Sequence, residues 1–344
     1  MSARIHQIDI EDHAALLRYL RAGNWVAADE NPVFRTLTGG VSNRTVWVKR
    51  GRGNDWVIKQ ALAKLRVPVA WHSAPERIQR EAAGLRWLGK IMPEQAPALV
   101  FEDRSNNILA MTAIPQPHIN WKSALLKGCA DVQRARNFGA LLATIHQASE
   151  RYPELKTEFD ERRYFEELRL EPYYGFTATQ VPAASGYLRR LISDTRRRRF
   201  ALVHGDYSPK NVLIYEDRLI ILDFEVIHFG DPAFDIGFSL THFLSKAHHL
   251  PANRSALLEL AQEYWRSYKQ SLRPTLPDGL GGYAVRHTLA CLLARVGGRS
   301  PLEYLDAIAR ERQKRIVLEL MAEDIGDVSE LIDAFGKGLE QSHE

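Results

Sequence analysis

The tightest constraint on what this chain can fold into is a set of polar residues at fixed spacing past its middle. His204-Gly205-Asp206-Tyr207-Ser208-Pro209-Lys210-Asn211 is followed by two short apolar runs, Val212 to Tyr215 and Leu219 to Leu222, and then by Asp223-Phe224-Glu225. The two runs, with Glu216-Asp217 as a turn, predict a β-hairpin. A hairpin folds the chain back, so the Asn211 amide and the Asp223 carboxylate, 12 residues apart, end within reach of a common ion. Amide and carboxylate oxygens suit hard Mg²⁺. Asp206 then stands free of the metal, placed to accept a hydroxyl proton. That layout serves phosphoryl transfer, where positioning and charge neutralisation supply most of the rate. Asp and Asn are also common turn formers, and any one of these residues alone reads as structural. The joint spacing carries the functional reading.

Upstream, Val33 to Leu37, Thr45 to Lys49 and Trp56 to Lys59 are β-patterned runs separated by Gly39-Gly40 and Gly51-Arg52-Gly53-Asn54. Three short antiparallel strands are the simplest account. Between the first two lies Thr38-Gly39-Gly40-Val41-Ser42-Asn43. Gly39 and Gly40 let the backbone approach a phosphate, Ser42 adds a donor, and Asn43 belongs to the same nucleotide-binding turn. Gly-Gly between strands is equally a plain turn, and no Gly-Lys-Ser/Thr follows, so this is not a Walker A sequence.

Lys59 closes a strand that should be half or wholly buried, and a buried lysine needs a partner. The helix expected over 75–90 offers one. With Ile78 at 0° and about 100° per residue, Glu81 falls near 300°, inside the apolar face of Ala82, Leu85 and Leu88, and Glu76 falls on the opposite side. Glu81 is therefore the natural partner of Lys59, leaving the ammonium to orient phosphates. The plainer alternative is a surface lysine and a glutamate at the edge of its face.

Composition narrows the class. The 344 residues are 45% hydrophobic and 26% charged, the balance of a folded protein able to bury one or two cores. A net charge of +4 is too small over this length to read as a nucleic-acid footprint. Cys129 and Cys291 have no ligand spacing around them, so neither a disulfide framework nor a zinc site is expected, and a reducing cytoplasm is the default. The N-terminus lacks an apolar signal core, and no run approaches a membrane span.

Strands are expected over 98–102 and 108–114, and Pro115-Gln116-Pro117 marks the boundary between a first lobe, 1–115, and a second, 116–344. Helices are expected at 9–23 and then at 131–149, 160–170, 184–199, 234–249, 254–272, 281–296, 301–321 and 327–340. Arg196 to Arg199 read as a solvated helix end. Arg295 closes an otherwise apolar helix, where it either meets an anionic or hydroxyl-rich acceptor or caps the helix against its dipole.

His204 to Asn211, Asp223-Phe224-Glu225 and Gly230-Asp231-Pro232-Ala233-Phe234-Asp235 together resemble the aminoglycoside phosphotransferase and choline kinase family of kinase-like enzymes. The resemblance runs from about Phe34 to Leu244 and more loosely to Leu305. It implies a bilobal α+β, protein-kinase-like fold with a five-stranded antiparallel-sheet N-lobe and a mainly helical C-lobe. It implies Asp206 as catalytic base, Asn211 and Asp223 as Mg²⁺ ligands, and Lys59 with Glu81 as the phosphate-orienting pair. His204 and Asp235 support the catalytic loop, Asp235 through its backbone. Thr112 and Ile114, at the hinge, meet the purine of ATP or GTP. Lys210, where the family often has Gly, either shares the charge work near the γ-phosphate or points to solvent. Tyr207, Glu225, His228 and Arg295 are the expected lining of an acceptor groove, Glu225 with a second possible contact to metal or water.

Eleven residues separate Asp223 from Asp235, too few for a long peptide-docking activation segment, so a small-molecule hydroxyl acceptor is expected rather than a protein. The absence of an acidic run disfavours a cationic aminoglycoside. The run Asp223 to Gly237 is also similar to methylthioribose kinases, whose catalytic loop lacks the Asn present here as Asn211. Rival readings are a nucleotide-binding scaffold without turnover and a protein kinase.

Overall fold

A computed structural model describes residues 8–38, 40–67, 70–273 and 278–341. The chain divides into two compact units, the first ending at His118 and the second beginning at Ile119.

In the first unit, helix α1 (His13–Ala22) starts where the Asp12 carboxylate accepts from Ala15 N at 3.0 Å, and stops at Gly23. Strands β1 (Val33–Thr36), β2 (Asn43–Lys49) and β3 (Trp56–Ala61) precede helix α2 (Arg77–Ile91), and β4 (Leu99–Asp103) and β5 (Ile108–Thr112) follow it. The five strands form one antiparallel sheet in the order β1-β2-β3-β5-β4. Leu16 and Leu20 of α1 pack with Val46, Val48, Trp56, Ile58 and Ile108, so the amphipathic spacing of α1 serves to cover the sheet.

The second unit contains β6 (Ile119–Asn120), α3 (Trp121–Leu126), α4 (Val132–Arg151), α5 (Leu155–Glu158) and α6 (Arg163–Phe165). The helix expected over 160–170 is instead α6 running into a π-helical stretch, Glu166–Gly175, and then α7 (Phe176–Gln180). Pro172 within that stretch has no N–H for an α-type bond, which is the physical reason the register widens. After α8 (Ser185–Arg197) come β7 (Ala201–Val203), the hairpin β8 (Val212–Tyr215) and β9 (Arg218–Ile221), and β10 (His228–Gly230), which pairs antiparallel with β7. The remaining helices are α9 (Pro232–His249), α10 (Arg254–Ser271), α11 (Leu280–Gly297), α12 (Ala307–Leu320) and α13 (Val328–Gln341). The helix expected from 301 begins only at Ala307, where the Asp306 side chain caps it.

Two helices cross closely where a glycine permits it: a Cβ at Gly237 would lie 2.6 Å from His287 Cβ and from Thr288 N, so α9 and α11 meet backbone to backbone. The arginine run is not uniformly solvated. Arg196, Arg197 and Arg199 pair with Glu166, Asp194 and Asp160, while Arg198 turns inward to Asp231 at 2.6 Å and packs on the Tyr283 ring. Among the described residues, no helix is long and apolar enough to cross a membrane. The fold class is the expected one, an antiparallel sheet followed by a mainly helical region.

Candidate active site

In the second unit the loop carrying Asp206 leaves β7 and is fixed by its backbone. His204 N and Gly205 N donate to the two oxygens of Asp235, at 2.7 and 2.8 Å. Asp235, in the first turn of α9, also accepts from His146 Nε2 at 3.2 Å, and Tyr268 OH donates to His146 Nδ1 at 2.8 Å. Burial alone would raise the Asp235 carboxyl, but His146, His204 and the Gly205 N–H outweigh it and hold it below the ordinary carboxylate range. Gly205 has φ +78°, and a Cβ there would sit 2.9 Å from Val226 O. No other residue fits that bend without displacement.

His204 is buried, and burial lowers its imidazole against the raising effect of Asp235, Asp206 and Asp223. A neutral ring suits its contacts: Asp206 N donates to Nδ1 at 3.1 Å and Nε2 donates to Leu222 O at 3.2 Å. The ring thus bridges the start of the loop to the end of the hairpin.

Asp206 is 8% exposed and both of its oxygens are held. Asn211 Nδ2 donates to Oδ2 at 2.6 Å, and Arg169 approaches Oδ1 at 2.8 Å. Arg169 also donates through Nε to Gly205 O at 2.9 Å. Burial works against its charge, but Asp206, Tyr173, Glu225 and Asp223 prevail and raise the guanidinium above its ordinary value. Sequence reading missed Arg169, and the one signal for it was an arginine on the apolar side of a helix interrupted by proline.

With Nδ2 turned to Asp206, Asn211 leaves Oδ1 as the atom available to a cation. Leu222 N donates to Asn211 O at 2.9 Å and Val212 pairs with Ile221, so the register sets Asp223 beside Asn211. Asp223 carries φ +72°, a left-handed backbone uncommon for a non-glycine residue. Two hard oxygen donors, one amide and one carboxylate, beside a second carboxylate, Asp206, fit Mg²⁺ rather than a soft metal. Lys210 is exposed, in the 3₁₀ turn Pro209–Asn211, and its carbonyl accepts from Asn120 Nδ2 at 2.7 Å.

In the first unit, Lys59 Nζ lies 2.6 Å from Glu81 Oε1, and Glu81 is fully buried while Glu76 is exposed. Gly39 lies outside the described residues. Gly40 is exposed, where a Cβ would meet Asn43 O at an ordinary 3.8 Å, and Asn43 donates to Ser42 Oγ at 3.2 Å. The turn is anchored by Arg77, which is fully buried and donates to Ser42 O and, at 3.0 Å, to Leu62 O. Thr112 Oγ1 accepts from Ala98 N at 2.9 Å, closing the β4–β5 edge. The Ile114 carbonyl is taken by His118 Nδ1 at 3.1 Å, while its N–H has no hydrogen-bond partner among the described residues.

Two residues expected in an acceptor groove are core residues instead. Tyr207 is fully buried, stacks on Phe138 at 4.1 Å, and donates its hydroxyl to Phe138 O at 2.9 Å. His228 is 1% exposed in β10, stacked on Phe165 at 4.0 Å. β10 is buried on each face, so alternation cannot flag His228, and Tyr207 lies in the loop after β7, where no periodicity applies. Glu225 is buried close enough to Arg169 to act on its charge. Arg295 donates to Ser300 O at 2.7 Å and to Ser300 Oγ at 2.9 Å, tying the end of α11 to the following loop. Arg286 lines a separate cavity of about 410 Å³ with Tyr187, Asp194 and Asp324.

Solved structures with this fold include a macrolide 2′-phosphotransferase from Brachybacterium faecium, 19% identical with a TM-score of 0.52 over 88% of this chain and 97% of that one. An amicoumacin kinase in complex with AMP-PNP, Ca²⁺ and Ami is 14% identical with a TM-score of 0.57, over 83% and 88%. In sequence, the methylthioribose kinase of Pectobacterium atrosepticum is 25% identical over 252 residues, 62% of each chain, so this chain spans under two thirds of that relative's length. Methylthioribose kinase 2 of Oryza sativa subsp. japonica is 22% identical over 299 residues, 75% of this chain and 70% of that one. Residues 33–283, well over half of the chain, match the model of the phosphotransferase enzyme family, and the chain belongs to that family.

Proposed function

We propose that this protein is a small-molecule kinase that transfers the γ-phosphoryl group of a nucleoside triphosphate, ATP or GTP, to a hydroxyl of a small acceptor. The observation that carries the reading is the fixed carboxylate Asp206, held by Arg169 and Asn211 beside the Asn211–Asp223 oxygen pair. A carboxylate with both oxygens already oriented still has lone pairs to accept a proton. Asp206 takes the acceptor hydroxyl proton as the new O–P bond forms, and the bond from the γ-phosphorus to its bridging oxygen breaks, so the electron pair leaves with the nucleoside diphosphate. Lys59, oriented by Glu81, meets the nucleotide phosphates, and the Ile114 N–H is the donor for the base. Magnesium, which Asn211 Oδ1 and Asp223 are suited to hold, supplies neutralisation of the phosphate charge.

A small acceptor is supported by the short path from Asp223 to Asp235, eleven residues of which Ile227 to Gly230 are spent on a buried turn and β10. The methylthioribose kinases make a sugar-like acceptor one candidate class. Asp206→Ala, followed by ADP release across a metabolite library, tests the reading: kcat should fall by about 10²–10⁴-fold. A loss under about tenfold would remove Asp206 from the role of base.

A further inference from the structure

The second unit contains a cationic cluster that the proposed transfer step does not use. Lys246, in the last turn of α9, is fully buried, and its one described hydrogen bond is to His242 O, within its own helix. The Tyr304 ring lies 5.6 Å from Lys246 Nζ and 6.0 Å from Lys122 Nζ of α3. Arg295, at the end of α11, bears on the same ammonium. Against these three cations stands one carboxylate, Glu303, which pairs with Lys122 and is two-thirds exposed. A buried ammonium without a carboxylate partner is costly.

Polar atoms of the side chains around Lys246 are in the same condition. His242 Nε2, Tyr304 OH and Arg295 Nε are buried and lack a hydrogen-bond partner among the described residues, and each belongs to a side chain that bears on Lys246. Buried polar atoms are paired in the great majority of cases, so three orphans beside one buried ammonium call for a partner. Among the described residues, none supplies an acceptor to these three atoms.

The cluster adjoins the catalytic loop. The Tyr173 ring carries Arg295 at 5.5 Å and Arg169 at 5.8 Å, and Arg169 is the residue that grips Asp206. Asn120, at the start of α3, binds the carbonyl of Lys210. A molecule seated among Lys246, Arg295 and Lys122 is therefore a short step from the base.

We infer that this cluster receives an anionic group of the acceptor, a phosphomonoester or a carboxylate, so that the substrate is an acidic hydroxyl compound. The inference rests on the proposed transfer to a small hydroxyl acceptor. The anion supplies the acceptors that the orphaned donors lack, and its charge favours the protonated form of Lys246 beside Arg295. Glu303, on the solvent side, gives up Lys122 as the anion enters.

Inorganic phosphate, added to the full chain without nucleotide or metal, tests the site apart from turnover. The wild type should gain about 3 °C in Tm at ten times the dissociation constant. Lys246→Met and Arg295→Gln should each lose that gain while keeping their stabilisation by Mg-ATP. No gain in the wild type, or an equal gain in both variants, overturns the site. ADP release is then compared for glycerol, glycerol 3-phosphate and glycerate, and for ribose and ribose 5-phosphate. Acidic members turned over with a KM that rises tenfold or more in Lys246→Met support the inference, and the phosphate and carboxylate arms say which anion is preferred. Neutral acceptors turned over with a KM unchanged in Lys246→Met overturn it and leave the transfer reading standing. Phosphate binding lost in both variants, with no ADP release from any acceptor, upholds the anion site and removes the transfer reading.

Discussion

Arg169 holds Asp206 from inside the second unit: the guanidinium lies 2.8 Å from Oδ1, and both side chains are about nine-tenths buried. Its Nε reaches Gly205 O at the same time. One planar fork thus sets both the carboxylate and the backbone of the loop that carries it. Arg169→Lys keeps the charge and loses the fork. Its kcat should fall by about 10- to 100-fold, with KM for the nucleotide changing less than threefold, in the ADP-release assay. Equal effects on kcat and nucleotide KM would point to a general loss of structure instead.

The pair Lys59–Glu81 predicts a non-additive cycle. Removing one partner leaves a charge in a buried setting, so Lys59→Met should cost about 3–5 kcal/mol in urea unfolding. Lys59→Met with Glu81→Leu removes both charges and should recover most of that loss. Stabilisation by Mg-ATP should be absent from both variants. Retention of it in the double variant would exclude Lys59 from the phosphates.

The hairpin, the α2 face and the five-stranded sheet were legible in the sequence because each rests on local periodicity and spacing. Glu81 could be placed by angle alone, and the Asn211–Asp223 approach follows from a hairpin whose turn and strands are contiguous. Arg169, Arg77 and His146 could not be found that way. Their roles come from contacts across 36, 35 and 89 residues of chain, to Gly205, Ser42 and Asp235. Tyr207 and His228 were misplaced for a related reason. Polar residue types beside a catalytic loop look like groove lining until packing shows that one is spent on Phe138 and the other on Phe165. The orphaned polar atoms around Lys246 come from α9, α11 and the loop before α12, and no single stretch of sequence displays them together.

Gly205→Ala should separate loop geometry from loop chemistry. At φ +78° with Val226 O 2.9 Å from the new Cβ, the substitution should cost about 1–3 kcal/mol and shift the backbone that Asp235 braces. Activity should fall more than stability would explain, because Asp206 is the next residue. A variant with wild-type kcat and unfolding free energy would show that the bend is not required.

The burial of Lys246 sets a pH dependence whose sign is fixed. Burial, then Lys122 and Arg295, push its ammonium down to about 7 against the opposing pull of Glu303, and His242 on its own helix is held low by burial first and then by Lys246 and the same cations. Between that value and the ordinary 10.5, the unfolded chain binds more protons at this site than the native one. Stability from this site is therefore complete above about 10.5 and is lost as pH falls towards 7, at most about 5 kcal/mol in all. Lys246→Met has no such group. In urea unfolding at several pH values from 7 to 10, the variant should be the more stable protein at pH 7, and its advantage should shrink as pH rises. A difference that stays constant across the range would mean that Lys246 keeps its charge in the folded protein, with a counter-charge already in place.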